Sequence, residues 1–399
     1  METSKNISIL EHELCCGCKA CADSCSKNFI HFSIDNEGFY YPNIDESNCI
    51  NCGKCVRVCP ELNVSKDTCS SSVAIAGYAI DDQRHRMGSS GGYFGLLAEY
   101  VINKGGVVYG AAFDENLQVI HKRVSSKEDL PLLYKSKYIQ SNTIGIYKDI
   151  RVDLANNKMV LFCGTPCQCN AVRNYIGKIP DNLLLVDFIC HGVPSQALFN
   201  DNIKWLEKKL KAKITKFTFR YKNEDTTNPR SYGIEYCRKG KYFFKQGLYH
   251  DIPFYYGFQQ YLFLRPSCYL CKWSSVDRVS DITLGDFWGI HKVDPEFDES
   301  KGVSLLLINT HRGEAVAKYI NNFGPFRMKE FPIQIAVNNN AALRASTKLA
   351  SKRNLFFKDY LSFGFDYVVK KYLTPKYSFL WRHYYDLPRS IRKLLNHLK

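Results

Sequence analysis

The chain has no stretch approaching the ~18 consecutive apolar residues of a membrane-spanning helix, so nothing in it reads as a transmembrane segment. Its first residues, Met1-Glu2-Thr3-Ser4-Lys5-Asn6-Ile7-Ser8, lack a basic region followed by an apolar run and do not read as a secretory signal. No G-x-G-x-x-G follows a strand-like run and no G-x-x-x-x-G-K-[ST] occurs, which leaves a Rossmann site and a P-loop without support. Acidic side chains are scarce, 39 against 54 Lys and Arg, and the imbalance is uneven. Residues 1–68 hold ten acidic and six basic side chains, a net of −4, so the rest of a +15 chain carries +19. An acidic head on a basic body argues against a simple nucleic-acid binder, whose cations gather on one reading module. Low-complexity sequence is absent, and 45% hydrophobic residues among 399 exclude wholesale disorder.

What the chain has in excess is cysteine, 17 residues. Many cysteines without an export signal point to reduced thiols in the cytoplasm, where metal binding outranks disulfides. Two runs repeat one spacing: Cys15-x2-Cys18-x2-Cys21-x3-Cys25 and Cys49-x2-Cys52-x2-Cys55-x3-Cys59-Pro60. In the bacterial ferredoxin pattern three thiolates wrap one cubane and the fourth reaches the other. Cys15, Cys18, Cys21 and Cys59 would hold one [4Fe–4S], and Cys49, Cys52, Cys55 and Cys25 the second, with Gly17 and Gly53 permitting the turns. Zinc knuckles are the competing reading, but they prefer two C-x2-C pairs or Cys/His mixtures. Cys16 is spare and reads as a small buried side chain.

From Val73 the pattern changes to alternating strands and helices. Val73–Ile80 reads as a strand, Ser89–Asn103 as a helix, and Val107–Phe113 with Gln118–Val124 as a hairpin. Met159–Cys163 and Leu183–Cys190 read as short buried strands, each running through a turn into a helix. Two cysteines stand at those turns, Cys167 in Gly164-Thr165-Pro166-Cys167-Gln168 and Cys190 in Cys190-His191-Gly192-Val193-Pro194-Ser195. Thr165-Pro166 suits an N-cap and first helical position, which puts Cys167 where the helix dipole favours a thiolate. Cys268-x2-Cys271 alone could be zinc-binding, redox-active or structural; with the two turn cysteines it could complete a third four-cysteine site. Beyond about 340 the chain turns basic and aromatic, with eight Lys and Arg against two Asp in 363–399. That tail reads either as a segment lying on an anionic membrane surface, peripheral on the inner membrane, or as a basic helix packed on the body.

Several strings in order resemble the coenzyme F420 hydrogenase/dehydrogenase beta-subunit family, in the version with a two-cluster ferredoxin in front. They are Gly88-Ser89-Ser90-Gly91-Gly92, Ser136-Lys137-Tyr138-Ile139-Gln140-Ser141, Val160 to Gln168, Cys190 to Ser195, Cys268 to Cys271, Asp281 to Gly289, and Lys301-Gly302-Val303-Ser304. The resemblance implies an FAD-binding iron–sulfur flavoprotein and assigns Cys167, Cys190, Cys268 and Cys271 to a third [4Fe–4S]. Cys69, Cys163, Cys169 and Cys237 stay unassigned.

Small residues in Gly88–Gly92 let a ligand approach the backbone, and a dinucleotide pyrophosphate is the natural occupant of such a helix start. Ser89, Ser90, Gly91 and Gly92, with Tyr138, Ser141, Gly164 and Thr165, are the expected flavin contacts. Lys137 is either a solvated lysine or a cation facing the flavin, and Asp286 follows a buried strand where α/β sites collect. His191 could be a proton donor or a satisfied structural histidine.

The expected fold is α/β or α+β. It comprises a ferredoxin-like module at 1–68, a mixed-sheet flavin-binding body at 73–335, and a basic helical C-terminal extension at 336–399. The expected function is an oxidoreductase that takes electrons from reduced ferredoxin or another electron-transfer protein, through the clusters and FAD, to a small organic substrate. The rivals are an F420 oxidoreductase subunit and an electron-transfer adaptor with no substrate of its own. Relatives with ferredoxin heads also occur among genes for surface polysaccharide, which adds a sugar-linked substrate to the readings.

Overall fold

A computed structural model of the chain describes residues 5–64, 71–223, 230–323 and 326–375. The head is built from α1 (Ala20–Ser24), the hairpin β1 (Ile30–Ile34) and β2 (Tyr40–Ile44), and α2 (Lys54–Val58). The body carries an eight-stranded sheet of β3 (Val73–Ala79), β4 (Val107–Phe113), β5 (Val119–Val124), β6 (Val160–Gly164), β7 (Leu183–Phe188), β11 (Ile282–Asp286), β12 (Ser304–Ile308) and β13 (Phe326–Pro332). Its order is β13-β3-β12-β11-β7-β6-β4-β5, with β4, β6, β7 and β11 parallel and the flanking pairs antiparallel. A second, antiparallel sheet runs in the order β10 (Lys241–Leu248), β9 (Ser231–Arg238), β8 (Lys213–Phe219).

Central parallel strands are covered on both faces, which is why β6 and β7 read as continuous apolar runs. Alternation sends Leu161, Leu184 and Val186 toward helices α4 (Tyr93–Asn103) and His311–Phe323. Val160, Phe162, Leu183 and Leu185 face α5 (Ile146–Ala155) and α6 (Pro166–Ile176), and Cys18, Ala20 and Val58 of the head join that same core. A third core, dense in Phe and Tyr, lies under β8–β10 and is closed by helices Arg353–Phe363 and Phe365–Tyr372 through Phe356, Phe357, Val368 and Leu373.

Two expectations meet a different outcome or none. The helix read from Ser89 starts at Tyr93, behind a separate short helix at Asp82–Met87. Residues Gly88–Gly92 are a loop between the two. Gly92 caps the second helix at φ +95°, and a Cβ on Gly91 would stand 2.1 Å from the Gly77 carbonyl, so the loop lies flat against β3. Cys69, and most of the basic aromatic tail (376–399), lie outside the described residues. Among the described residues no helix is long and apolar enough to cross a membrane.

Candidate metal and cofactor site

The two cysteine runs fold as matching loops. Each uses a left-handed residue just before and just after its second cysteine: Gly17 (φ +67°) and Lys19 (φ +63°) in the first, Asn51 (φ +49°) and Gly53 (φ +72°) in the second. Those turns bring the thiols of each loop inward, and a short helix after each carries its third cysteine. Cys15, Cys18, Cys21 and Cys59 line one cavity of about 300 Å³, walled by Ile7, Leu10 and Phe32. Cys25, Cys49, Cys52 and Cys55 line another of about 400 Å³, walled by Ile30 and Ile44. Three thiols of one run thus meet the fourth of the other in each cavity. Among the described residues no three His, Cys, Asp or Glu side chains converge as ligands of a single ion. The thiols stand around cavities instead, as ligands of separate irons in a cube do. Burial, then the neighbouring thiols Cys15, Cys59 and Cys55, push the Cys21 thiol well above its usual range, and burial lifts Cys59 to about 11. Thiols crowded out of water are costly until a cationic centre neutralises them, so these sets fit two [4Fe–4S] clusters.

The first loop is sewn to the body. Arg265, fully buried, donates to the Cys15 carbonyl (2.6 Å) and the Tyr40 carbonyl (2.9 Å) and lies over the Tyr41 ring at 4.3 Å. Gln140 donates to the Cys16 carbonyl at 2.8 Å, and Thr143 and Tyr147 donate to that of Cys18 at 2.6 and 2.7 Å. Asp23 accepts from the Gly145 and Tyr147 amides at the start of α5 (2.8 and 3.2 Å). Glu37 pairs with Arg353. The head is held by directed bonds to loop carbonyls and one ion pair rather than by bulk charge.

Just beneath lie Cys167, Cys190, Cys268 and Cys271. Burial raises the Cys190 thiol, and the charges of Cys268, Cys167 and Cys271 raise it further; Cys268 is pushed up to about 12. The four therefore face one another, although 104 residues separate the first from the last. Thr165 caps α6 with Pro166 behind it, and its hydroxyl stands 3.0 Å from the Cys167 sulfur. The Gly192 amide points at the Cys190 sulfur (3.4 Å), and Gly192 (φ +116°) leaves room for Cys268, whose Cβ would lie 2.9 Å from a Cβ there. Cys16 has a definite place: its thiol is within hydrogen-bonding reach of both Cys18 and Cys167 and bridges the two sets. No spacing rule signals this.

The loop Gly88–Gly92 sits at the same end of the sheet. Gly91 donates to Ser304 Oγ at 2.9 Å, which ties the loop to β12 beside Asp286. Arg220 forks onto Asp286 (both contacts 2.7 Å) and also donates to the Ser89 carbonyl. Lys222 donates to the Ser90 carbonyl at 2.6 Å, and Lys135 to the carbonyls of Arg86 and Gly88. Arg220 and Lys222 are 4% and 8% exposed. Lys135 (φ +65°) and Arg220 (φ +58°) are held in the left-handed region, a strain that collects at functional sites. Burial lowers Lys135 to about 7 and Lys222 well below the usual lysine range, while Arg220 holds the Asp286 carboxyl below its ordinary value against the opposing effect of burial. Three buried cations share one carboxylate, an excess of two charges that suits the two charges of a pyrophosphate. These cations carry no motif, and sequence reasoning missed all three.

The remaining expected site residues divide. His191 is largely buried, and burial lowers its pKa against the pull of Asp286; its ring stacks on Tyr261. Ser89 joins the seat through Ser136, whose amide donates to its hydroxyl at 2.7 Å. Lys137 donates instead to the Leu132 and Tyr134 carbonyls and faces Cys163, and burial takes it to about 7. Tyr138 stacks on Phe258 (4.6 Å) within the aromatic core. Ser141, Gly164 and Thr165 gather around Gln168, which donates to Ser141 at 3.0 Å, and so belong with Cys167. Cys169 is buried under Val186, and Cys163 lies beside Lys137.

Residues 157–332 match the C-terminal domain of the coenzyme F420 hydrogenase/dehydrogenase beta subunit. Residues 14–63 and 41–128 match two models of a 4Fe-4S dicluster domain. No curated protein matches the chain. Among solved structures, a chain of the F420-reducing [NiFe] hydrogenase complex from Methanosarcina barkeri, studied as a xenon derivative, aligns over 77% of this chain and 94% of its own. It does so at 16% identity and a TM-score of 0.44. The chain thus belongs, through residues 157–332, to the coenzyme F420 hydrogenase/dehydrogenase beta-subunit family, behind an N-terminal 4Fe-4S dicluster domain, and is an iron–sulfur electron-transfer protein.

Proposed function

We propose that the chain is an iron–sulfur flavoprotein oxidoreductase. It moves electrons between a ferredoxin-type protein donor and a small organic substrate, with two clusters in the head, a third at Cys167, Cys190, Cys268 and Cys271, and FAD on the Gly88–Gly92 loop. The observation that carries this is the unbroken sequence of thiol sets from the surface into the body. Cys52 is exposed, Cys16 joins the inner head set to Cys167, and Cys190 leads through His191 to Asp286 and the cationic seat. FAD, when bound, supplies the conversion between single electrons and electron pairs that hydride chemistry needs. Arg220, Lys222 and Lys135 would hold its diphosphate, with Asp286 orienting Arg220. His191 could donate a proton from beside the third set.

Anaerobically isolated protein should retain one FAD per chain, and its visible absorption should bleach on mixing with reduced ferredoxin. Zinc in place of iron, or no flavin, would refute the reading. The cluster order has its own consequence. Exposed Cys52 opens the outer cavity to solvent, so graded oxidation should strip about four irons from the Cys25, Cys49, Cys52, Cys55 set first. Initial loss from the buried inner set, followed by EPR, would contradict it.

The lysine shifts give a pH test. Between pH about 7 and the ordinary 10.5, the unfolded chain holds a proton on Lys135 that the folded, flavin-free chain has released. Stability of that form should therefore rise with pH across this window. A diphosphate beside Lys135 favours the protonated amine, so FAD affinity should fall over the same range. Titrations giving equal affinity at pH 7 and 9 would remove Lys135 from the seat.

A further inference from the structure

Strands β9 and β10 form a hairpin at the edge of the three-stranded sheet, with β10 outermost. Its root is core, since Tyr232 and Ile234 are fully buried. Beyond Ile234 both faces emerge. Residues 241–246 are all exposed, and Tyr242, Phe243 and Phe244 keep 77%, 43% and 48% of their surface. Strand alternation puts Tyr242 and Phe244 on one face and Phe243, paired across to Tyr236, on the other. Cations surround the tip: Lys211 and Lys213 on the β8 side, Lys239, Lys241 and Lys245 on the hairpin, and Arg238, which lies over Tyr236 and Phe243. The nearby carboxylate, Glu235, is paired with Lys216 at 3.0 Å.

Which surface covers such a tip follows from its two-sidedness. A rigid protein docked on one face would leave the other face's aromatics in water. A second copy added along the β10 edge would use backbone groups and cover neither face. A fluid interface covers both, seats aromatic rings at headgroup depth and, if anionic, neutralises the collar of lysines. We propose that the β9–β10 hairpin is a membrane-docking tip, which inserts Tyr242, Phe243 and Phe244 into an anionic lipid surface and is held there by Lys239, Lys241 and Lys245. This is independent of which cofactor the body holds.

The test is co-sedimentation of the full, cluster-loaded chain with vesicles of phosphatidylcholine, with and without phosphatidylglycerol. Binding should require phosphatidylglycerol and decline steeply with salt. A triple variant with Tyr242, Phe243 and Phe244 each changed to Ser, and separately Lys239→Glu with Lys241→Glu, should each lose at least tenfold in partitioning. Both should keep wild-type iron content and melting temperature, because the changed side chains are exposed. Absent binding by the wild type, or equal binding by either variant, overturns the proposal. So does a vesicle-indifferent dimer that the triple variant abolishes, which would assign the edge to a second copy.

Discussion

Changing Cys190 or Cys268 to Ser should lower the iron content of anaerobically isolated protein from about twelve to about eight atoms per chain, with the two head clusters intact. The expectation rests on separateness. The head sets draw their thiols from loops closed within 15–59, whereas Cys190 and Cys268 stand on the far side of Cys167, and neither lines a head cavity. Thermal stability should fall as well, because four buried thiols that face one another would lose the centre that neutralises them. Iron analysis and EPR of the reduced protein read the two effects separately. Unchanged iron in both variants would eliminate the third cluster while leaving the head clusters untouched. Cys16→Ala is the informative control: it removes a thiol between the sets without removing a proposed ligand, and should leave the iron count at wild type.

Lys222→Met should weaken FAD binding by about ten- to a hundredfold, the usual worth of a charge-assisted contact. The same change should leave the melting temperature of the flavin-free protein within a few degrees. The two readouts separate a ligand-holding lysine from a structural one. In the flavin-free chain Lys222 is a desolvated cation beside Lys135 and Arg220, with like charges that both lower its pKa, so an apolar side chain of similar length relieves repulsion while forfeiting one bond to the Ser90 carbonyl. A purely structural lysine would show the reverse, a large loss of stability with flavin retention unchanged. Asp286→Asn should behave differently again. It leaves Arg220 buried without its carboxylate, and breaking a buried pair costs ~3–5 kcal/mol, so this variant should be destabilised whether or not flavin is present.

The part of the site that was legible in the sequence is the part built from local geometry. Two cysteine runs specify their own loops because three thiols within seven residues can wrap one centre only through left-handed turns, and the fourth is then too far round to reach it. Thr165-Pro166 announced the start of α6, since capping depends on four consecutive residues. The strands β4, β6 and β7 declared themselves by apolar runs and period. What the sequence could not show is order. The carboxyl ends of β3, β11, β7 and β6 meet because the sheet runs β3-β12-β11-β7-β6, and that arrangement brings the Gly88–Gly92 loop, Asp286, His191 with Cys190, and Cys167 to one rim. Arg220 and Lys222 reach that rim from the end of β8, on a different sheet, with no motif to mark them. The start of the helix at Tyr93 was decided there too, by Gly91 bonding to Ser304, 213 residues away. Spacing determined which thiols share a head cluster, because those contacts close within one loop; only the packing of distant strand ends determined where the buried cations would stand.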